Sequence, residues 1–130
     1  MRLITFAMAA CAALLSTSAV AEECNDVEVL ALNMYHEARG EGADGMQMVG
    51  EVTLNRVYSD RYPDNICDVV YQRRQFSWTH TIRDHTPYDQ ELWEQSLFIA
   101  EALLNGEIDY FDTGATHFLN LNIVSRVPRW

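Results

Sequence analysis

Val27-Glu28-Val29-Leu30-Ala31-Leu32-Asn33-Met34-Tyr35-His36-Glu37-Ala38-Arg39-Gly40-Glu41 is the stretch from which the rest of the chain can be read. Its apolar side chains at Val27, Leu30, Ala31, Met34, Tyr35 and Ala38 recur three and four residues apart, which makes one buried stripe along a helix. Glu37 is flanked by that stripe, with Asn33 one turn behind on the same side. Gly40 is expected to take the left-handed conformation that ends a helix. A carboxyl at such a place sits half in apolar surroundings, which raises its pKa and lets it hold a proton near neutral pH, as a general acid must. Glu41 lies one turn further on, so two carboxyls could border one cleft. The competing reading of this Glu-x-x-x-Glu pair is a solvated helix end, and the residues alone leave the two even.

Outward from this helix the chain continues to read as helical. Asp44 is placed as the N-cap of a second helix running to about Tyr58, with Met46, Val49, Gly50, Thr53, Leu54 and Val57 on one face. Gly50 inside that stripe costs helix propensity, so close approach of another backbone is expected there. Tyr62-Pro63-Asp64-Asn65 is a turn, and Asn65 caps a short helix through Ile66, Val69 and Val70. Residues 72–88 show no clear period and read as a long loop, a common site of function in a small domain. A further helix spans about Asp89–Asn105, with Trp93, Leu97, Ala100 and Leu104 inward and Gly106 as its stop. The tail, with Thr116, Phe118, Ile123 and Val124, suits short strands or irregular chain. The expected class is mainly α (α+β), a helical domain with a small β or irregular C-terminal segment.

The front of the chain sets the compartment. Arg2 is the only charge before Glu22, residues 3–21 are apolar or small, and Ala19-Val20-Ala21 is a small-x-small cleavage pattern. Residues 1–21 therefore read as a secretory signal peptide and 22–130 as one domain, exported to the periplasm or beyond. Ser16, Thr17 and Ser18 interrupt the apolar run, so no stable membrane span is expected after cleavage. The part after residue 21 holds all nineteen acids and eight of the nine arginines, with no lysine, a formal charge of −11. Such a balance excludes generic nucleic-acid binding, which needs basic surface to reach phosphates. Any anionic substrate would need a local patch; Arg73-Arg74 is the candidate, against the plain reading of a solvated turn. Cys11 leaves with the signal peptide. Cys24 and Cys67 remain, an even pair in an oxidising compartment, and a disulfide between them is favoured over two free thiols.

Several chemistries can be weighed. His36-Glu37 resembles the start of a zinc-protease helix, but that motif needs a histidine where Gly40 stands. His80, His85 and His117 follow no metal-site spacing, so neither a metal nor any other cofactor is expected. No Gly-x-Ser-x-Gly elbow is present. Gln75-Phe76-Ser77-Trp78 offers amides, a hydroxyl and aromatic faces, the mixture that grips sugar rings; the alternative is a loop whose aromatics plug the core.

Beyond these readings, Tyr35–Glu41, the Met48–Val57 helix, Tyr62-Pro63, Val70-Tyr71-Gln72, Gln75-Phe76-Ser77-Trp78 and Ala115-Thr116-His117-Phe118 occur in an order that resembles the cell-wall hydrolase family named for the spore-cortex-lytic enzyme SleB. The resemblance covers nearly all of residues 27–130. It implies a compact, lysozyme-like helical catalytic domain whose partner is the glycan strand of peptidoglycan, cut by a lytic transglycosylase route. Carried over by residue, it implies Glu37 as the catalytic acid and base, in a cleft floored by Tyr35. It implies Glu41, Asn55, Gln75, Phe76, Ser77, Trp78 and His117 as residues of the sugar-binding groove. Family members continue into a final segment ending in aromatics, whereas this sequence stops at Trp130, so a C-terminus short for the family is expected. The alternatives are a non-catalytic peptidoglycan-binding module, a hydrolytic muramidase with Glu41 or Glu51 as second carboxylate, and a metal-dependent wall amidase.

Overall fold

The computed structural model describes residues 23–119 and 125–126. The expected signal peptide and the strand candidates Ile123 and Val124 lie outside the described residues. Five helices follow in order: α1 (Asp26–Ala38), α2 (Gly42–Val57), α3 (Ile66–Tyr71), α4 (Trp78–Thr81) and α5 (Gln90–Asn105). Helix α1 is the central element, packed against α2, α3 and α5, while α2 also meets α3 and α5. Among the described residues there is no strand, and the tail from Glu107 to Leu119 is irregular. The mainly helical class is thus as expected. No helix among the described residues is long and apolar enough to cross a membrane.

The α1 stripe is buried as its spacing requires: Leu30, Ala31, Met34 and Tyr35 have no exposed surface, and Ala38 almost none. Asn25 opens the helix by accepting a hydrogen bond from the Glu28 amide at 3.2 Å. Its end differs from expectation. Arg39 closes α1 in right-handed conformation, and the left-handed glycine is Gly42 (φ 72°), two residues beyond Gly40, at the turn into α2. Gly42 therefore starts α2 two residues ahead of Asp44, which falls in the first turn, and Glu41 stands at the cap position without a side-chain cap bond.

Asn65 caps α3 through the Asp68 amide (2.8 Å), and Asp89 caps α5 through the Leu92 amide (3.1 Å). Gly106 (φ 67°) ends α5 with its N–H turned back to the Ala102 and Leu103 carbonyls. The buried face of α5 is rotated from the one expected. Ser96, Ile99, Ala100 and Leu103 lie inward, Trp93 and Leu97 flank the core, and Leu104 is outside. Small Ser96 and Ala100 let the helices approach closely, and the Ser96 hydroxyl is satisfied by donating to the Leu92 carbonyl at 2.8 Å. At Gly50 the close neighbours are side chains, not backbone: a Cβ there would meet Leu103 Cδ1 at 2.7 Å and Met34 Sδ at 2.8 Å.

The 72–88 segment contains the single-turn α4, and its attachment to α1 is polar. Trp78 Nε1 donates to Asn33 Oδ1 (2.9 Å), Asn33 Nδ2 to Thr53 Oγ1 (3.0 Å), and Thr53 Oγ1 to the Val49 carbonyl (2.9 Å). This buried chain joins loop, α1 and α2, and every member is satisfied, the condition under which a polar core is rigid. The Cys24–Cys67 disulfide forms, tying the residues before α1 to α3.

Two outcomes follow. Asn33→Ala strands the Trp78 indole N–H and opens a cavity, so urea denaturation should show a loss of about 2–4 kcal/mol. Replacing both Cys24 and Cys67 by serine should cost about 4 kcal/mol by loop-closure entropy, read as a lowered thermal midpoint that reducing agent reproduces in the parent protein.

Candidate active site

The end of α1, the last turn of α2, the loop after α3 and the tail meet around Arg56. Three of these segments are joined by hydrogen bonds of one buried guanidinium. Arg56 Nε donates to the Thr116 carbonyl at 2.9 Å and Nη1 to Gln75 Oε1 at 3.3 Å. The guanidinium carbon lies 5.0 Å from the Phe76 ring centroid and 5.3 Å from that of Tyr62, within cation–π range.

Glu37 interacts electrostatically with this cation from the last turn of α1. Its side chain is half-buried, and burial pushes its carboxyl above the ordinary carboxylate range while the Arg56 charge pulls the other way. Burial wins. Among the described residues no hydrogen bond reaches its carboxyl, so the Arg56 charge alone opposes the effect of burial. Two residues on, Arg39 lies between the rings of Tyr35 (5.5 Å) and Tyr88 (5.1 Å), which braces the end of the helix.

A row of polar side chains on α2 anchors the tail. Gln47 donates to the Asp109 carbonyl (2.8 Å), and Glu51 accepts from the Phe111 amide (2.9 Å) and from Gln47 (2.8 Å). Asn55 donates to the Ala115 carbonyl (2.9 Å), next to the Arg56–Thr116 bond. These side chains replace the ladder a strand would have used, so irregular backbone is satisfied against a helix. They also place His117 where burial first, and then the Arg56 and Arg61 charges, hold its imidazole below the usual range. The His117 Nδ1 lies 3.1 Å from the Thr116 hydroxyl.

The expected site residues therefore divide. Glu37, Gln75 and His117 surround Arg56. Asn55 is adjacent, its amide occupied by the tail. Ser77 is exposed, and its carbonyl accepts from the Thr81 hydroxyl at the foot of α4 (2.8 Å). Glu41 stands at the start of α2. Tyr35, Phe76 and Trp78 are core, with 0, 1 and 2 % exposure, so their rings are not open platforms for a ligand. The alternative weighed from sequence, aromatics that plug the core, describes Phe76 and Trp78. The Tyr35 hydroxyl accepts the Asp89 amide (3.1 Å).

In the sequence Arg56 is one more residue of the Met48–Val57 stretch, and its central place comes from partners far along the chain. The available signal was a charged residue beside a buried apolar stripe in an acidic chain. His36 serves another side of α1: its ring stacks on Trp78 at 4.7 Å, and Nε2 lies 3.0 Å from the His85 carbonyl. Among the described residues, the one place where three metal-capable groups converge is Cys24, Asp26 and Cys67, where the two sulfurs are bonded to each other.

Residues 40–130 match the family described as Cell Wall Hydrolase, and the chain belongs to that family. Glu37 lies three residues before the matched stretch. Relatives include spore cortex-lytic enzymes. That of Oceanobacillus iheyensis is 40 % identical over 53 residues, 41 % of this chain and 19 % of the relative. That of Halalkalibacterium halodurans is 40 % identical over 53 residues, 41 % of this chain and 16 % of the relative. The Bacillus subtilis enzyme is 36 % identical over 53 residues, 41 % of this chain and 17 % of the relative. The matched stretch thus spans less than a fifth of each of these proteins. No solved structure matches the chain significantly.

Arg56→Gln removes the charge that opposes the effect of burial on Glu37. The Glu37 carboxyl should then titrate at still higher pH, measured by carbon-detected NMR of its side-chain carboxyl. Loss of the fork to Thr116 and Gln75 should lower stability by about 2–4 kcal/mol, read from urea denaturation.

Proposed function

We propose that the protein cleaves the glycan strands of peptidoglycan as a lytic transglycosylase, acting between N-acetylmuramic acid and N-acetylglucosamine, with Glu37 as acid and then base. The observation that carries this reading is a half-buried carboxyl with a raised pKa facing a fixed cation. Membership of the cell wall hydrolase family supports it, as do the names of the relatives.

In the first half of the reaction the protonated Glu37 carboxyl gives its proton to the glycosidic oxygen as the bond from the muramic anomeric carbon breaks. The muramic 6-hydroxyl then bonds to that carbon, and its proton goes to the Glu37 carboxylate. Glu37 ends as it began, water is not consumed, and the product is a 1,6-anhydro ring. Between the two proton transfers the carboxylate is charged in a partly apolar site, where Arg56 supplies the opposing charge. Gln75, held by Arg56, would offer its amide to the sugar, together with Ser77 of the same loop and His117 of the tail.

A hydrolytic route needs a second carboxylate at a set separation to direct water. Glu51 is buried and accepts from Gln47 and the Phe111 amide, an arrangement that suits a structural role. One carboxyl is enough for the intramolecular route, which is why it is preferred.

Incubation with purified peptidoglycan followed by mass spectrometry tests this reading. Anhydro-muramic ends are expected, and Glu37→Gln should lower their release by about 10²–10⁴-fold while remaining folded. An undiminished rate in that variant would sink the assignment. Reducing ends would mean that water is the nucleophile, and binding to sacculi without products would favour a non-catalytic module. Because the acid must be protonated, the rate should fall as pH rises through the Glu37 pKa, at a pH above the ordinary carboxylate range.

A further inference from the structure

A pocket of about 440 Å³ lies in the same loop region, lined by Tyr71, Arg73, Arg74, Thr79 and His80. It stands apart from the cluster around Arg56. Gln75, the next residue in the chain, reaches the Arg56 cluster, so one short loop serves both places.

Three features set the pocket apart from an ordinary surface turn. Arg73-Arg74 is the only pair of adjacent cations in a chain of net charge −10. Among the described residues neither guanidinium has a carboxylate partner, although acids outnumber cations two to one. Arg74 holds its backbone at φ 64°, a conformation that long side chains rarely adopt and that glycine would take without strain. The pocket is also built on the core, not on mobile side chains alone. The Tyr71 ring packs edge-on to the buried Trp78 at 5.9 Å, and the Thr79 hydroxyl is spent on the Phe76 carbonyl at 2.8 Å. That leaves the two guanidiniums, His80 and the Tyr71 hydroxyl as the groups able to donate to a ligand.

Such a lining suits an anion that accepts paired hydrogen bonds, as guanidinium offers to a carboxylate. In a chain this acidic, long-range attraction cannot draw in an anionic polymer, so recognition has to be local. We propose that the pocket receives a carboxylate of the peptide stem borne by the glycan strand. This rests on the reading of peptidoglycan as substrate. The bond to be cut sits at Glu37, while the stem of a neighbouring muramic residue reaches round the Gln72–Gln75 turn to the arginines. The site thus distinguishes peptide-bearing strands from bare ones.

Calorimetric titration of the protein with three probes tests this: a soluble disaccharide-tripeptide, the same compound with its carboxylates amidated, and a neutral N-acetylglucosamine tetramer. The variant is Arg73→Gln with Arg74→Gly, the second change chosen because glycine suits the left-handed backbone and keeps the turn. Circular dichroism and thermal melting confirm that it is folded. Affinity for the anionic probe should fall by about tenfold or more in the variant, with the amidated probe and the tetramer unaffected. Unchanged affinity for the anionic probe would overturn the proposal, as would an equal loss for the amidated one. Competition by inorganic phosphate far stronger than by acetate would reassign the pocket to phosphate and overturn the carboxylate. Digestion of sacculi separates the two readings. Arg-dependent binding without glycan cleavage by the parent protein keeps the pocket and removes the transglycosylase. Cleavage by the parent, with equal binding in the variant, does the reverse.

Discussion

Arg56 is a cation taken out of water, and a guanidinium so placed has to find acceptors for its donors or the fold loses more than the burial gains. Its partners come from distant parts of the chain. Thr116 and Gln75 accept its hydrogen bonds, Phe76 and Tyr62 offer ring faces, and Glu37 supplies an opposing charge when ionised. One side chain on α2 thereby fixes the relative positions of the tail, the loop and the end of α1. Asn55, Glu51 and Gln47 extend the same principle up the helix at four-residue steps. A tail without strand partners stays in place because a helix presents it with side-chain donors and acceptors at the right spacing.

The loop is held from its other side by the Trp78–Asn33–Thr53 chain. Between the two anchors its residues alternate: Phe76 and Trp78 point into the core, and Gln75 and Ser77 stay at the surface. The aromatics set where the amide and hydroxyl stand, instead of meeting a ligand themselves. His36, stacked on Trp78, belongs to this anchoring. Neighbouring residues His36 and Glu37 thus face different tasks on different sides of one helix, as a turn of about 100° per residue dictates.

Much of this was legible in the residues. The α1 stripe, the Asn65 and Asp89 caps and the Gly106 stop come from local patterns, and the Cys24–Cys67 pairing from an even cysteine count after the expected cleavage. The shortfalls have a common cause. Gly40 and Gly42 are equally good helix stops by type, and only the path into α2 decides between them. Trp93, Leu97 and Leu104 are as apolar as the residues that face inward on α5, yet the crossing against α1 selects small Ser96 and Ala100. The placing of Phe76 and Trp78 depended on whether a partner for the indole N–H existed in the core, and that partner, Asn33, lies 45 residues away. Arg56 was hidden for the same reason: its importance is a sum of long-range partners that no window of sequence contains.

A raised Glu37 pKa also has a consequence for the fold. Between the carboxyl's unfolded pKa and its higher folded value, the native state binds more protons than the unfolded chain, so stability falls as pH rises through that window. Above it the folded domain carries an ionised group that would be better solvated unfolded, and this penalty coincides with the site. A small domain has little core surplus from which to offset it. The features that compensate lie close by: the disulfide that joins the start of α1 to α3, the satisfied polar chain through Asn33, and the Arg56 charge itself. Arg56 lowers the cost of the ionised form without removing the preference for the protonated one. The balance is set by geometry: a stronger ion pair would stabilise the fold and take away the acid, and no cation at all would leave the carboxylate formed during turnover without an opposing charge.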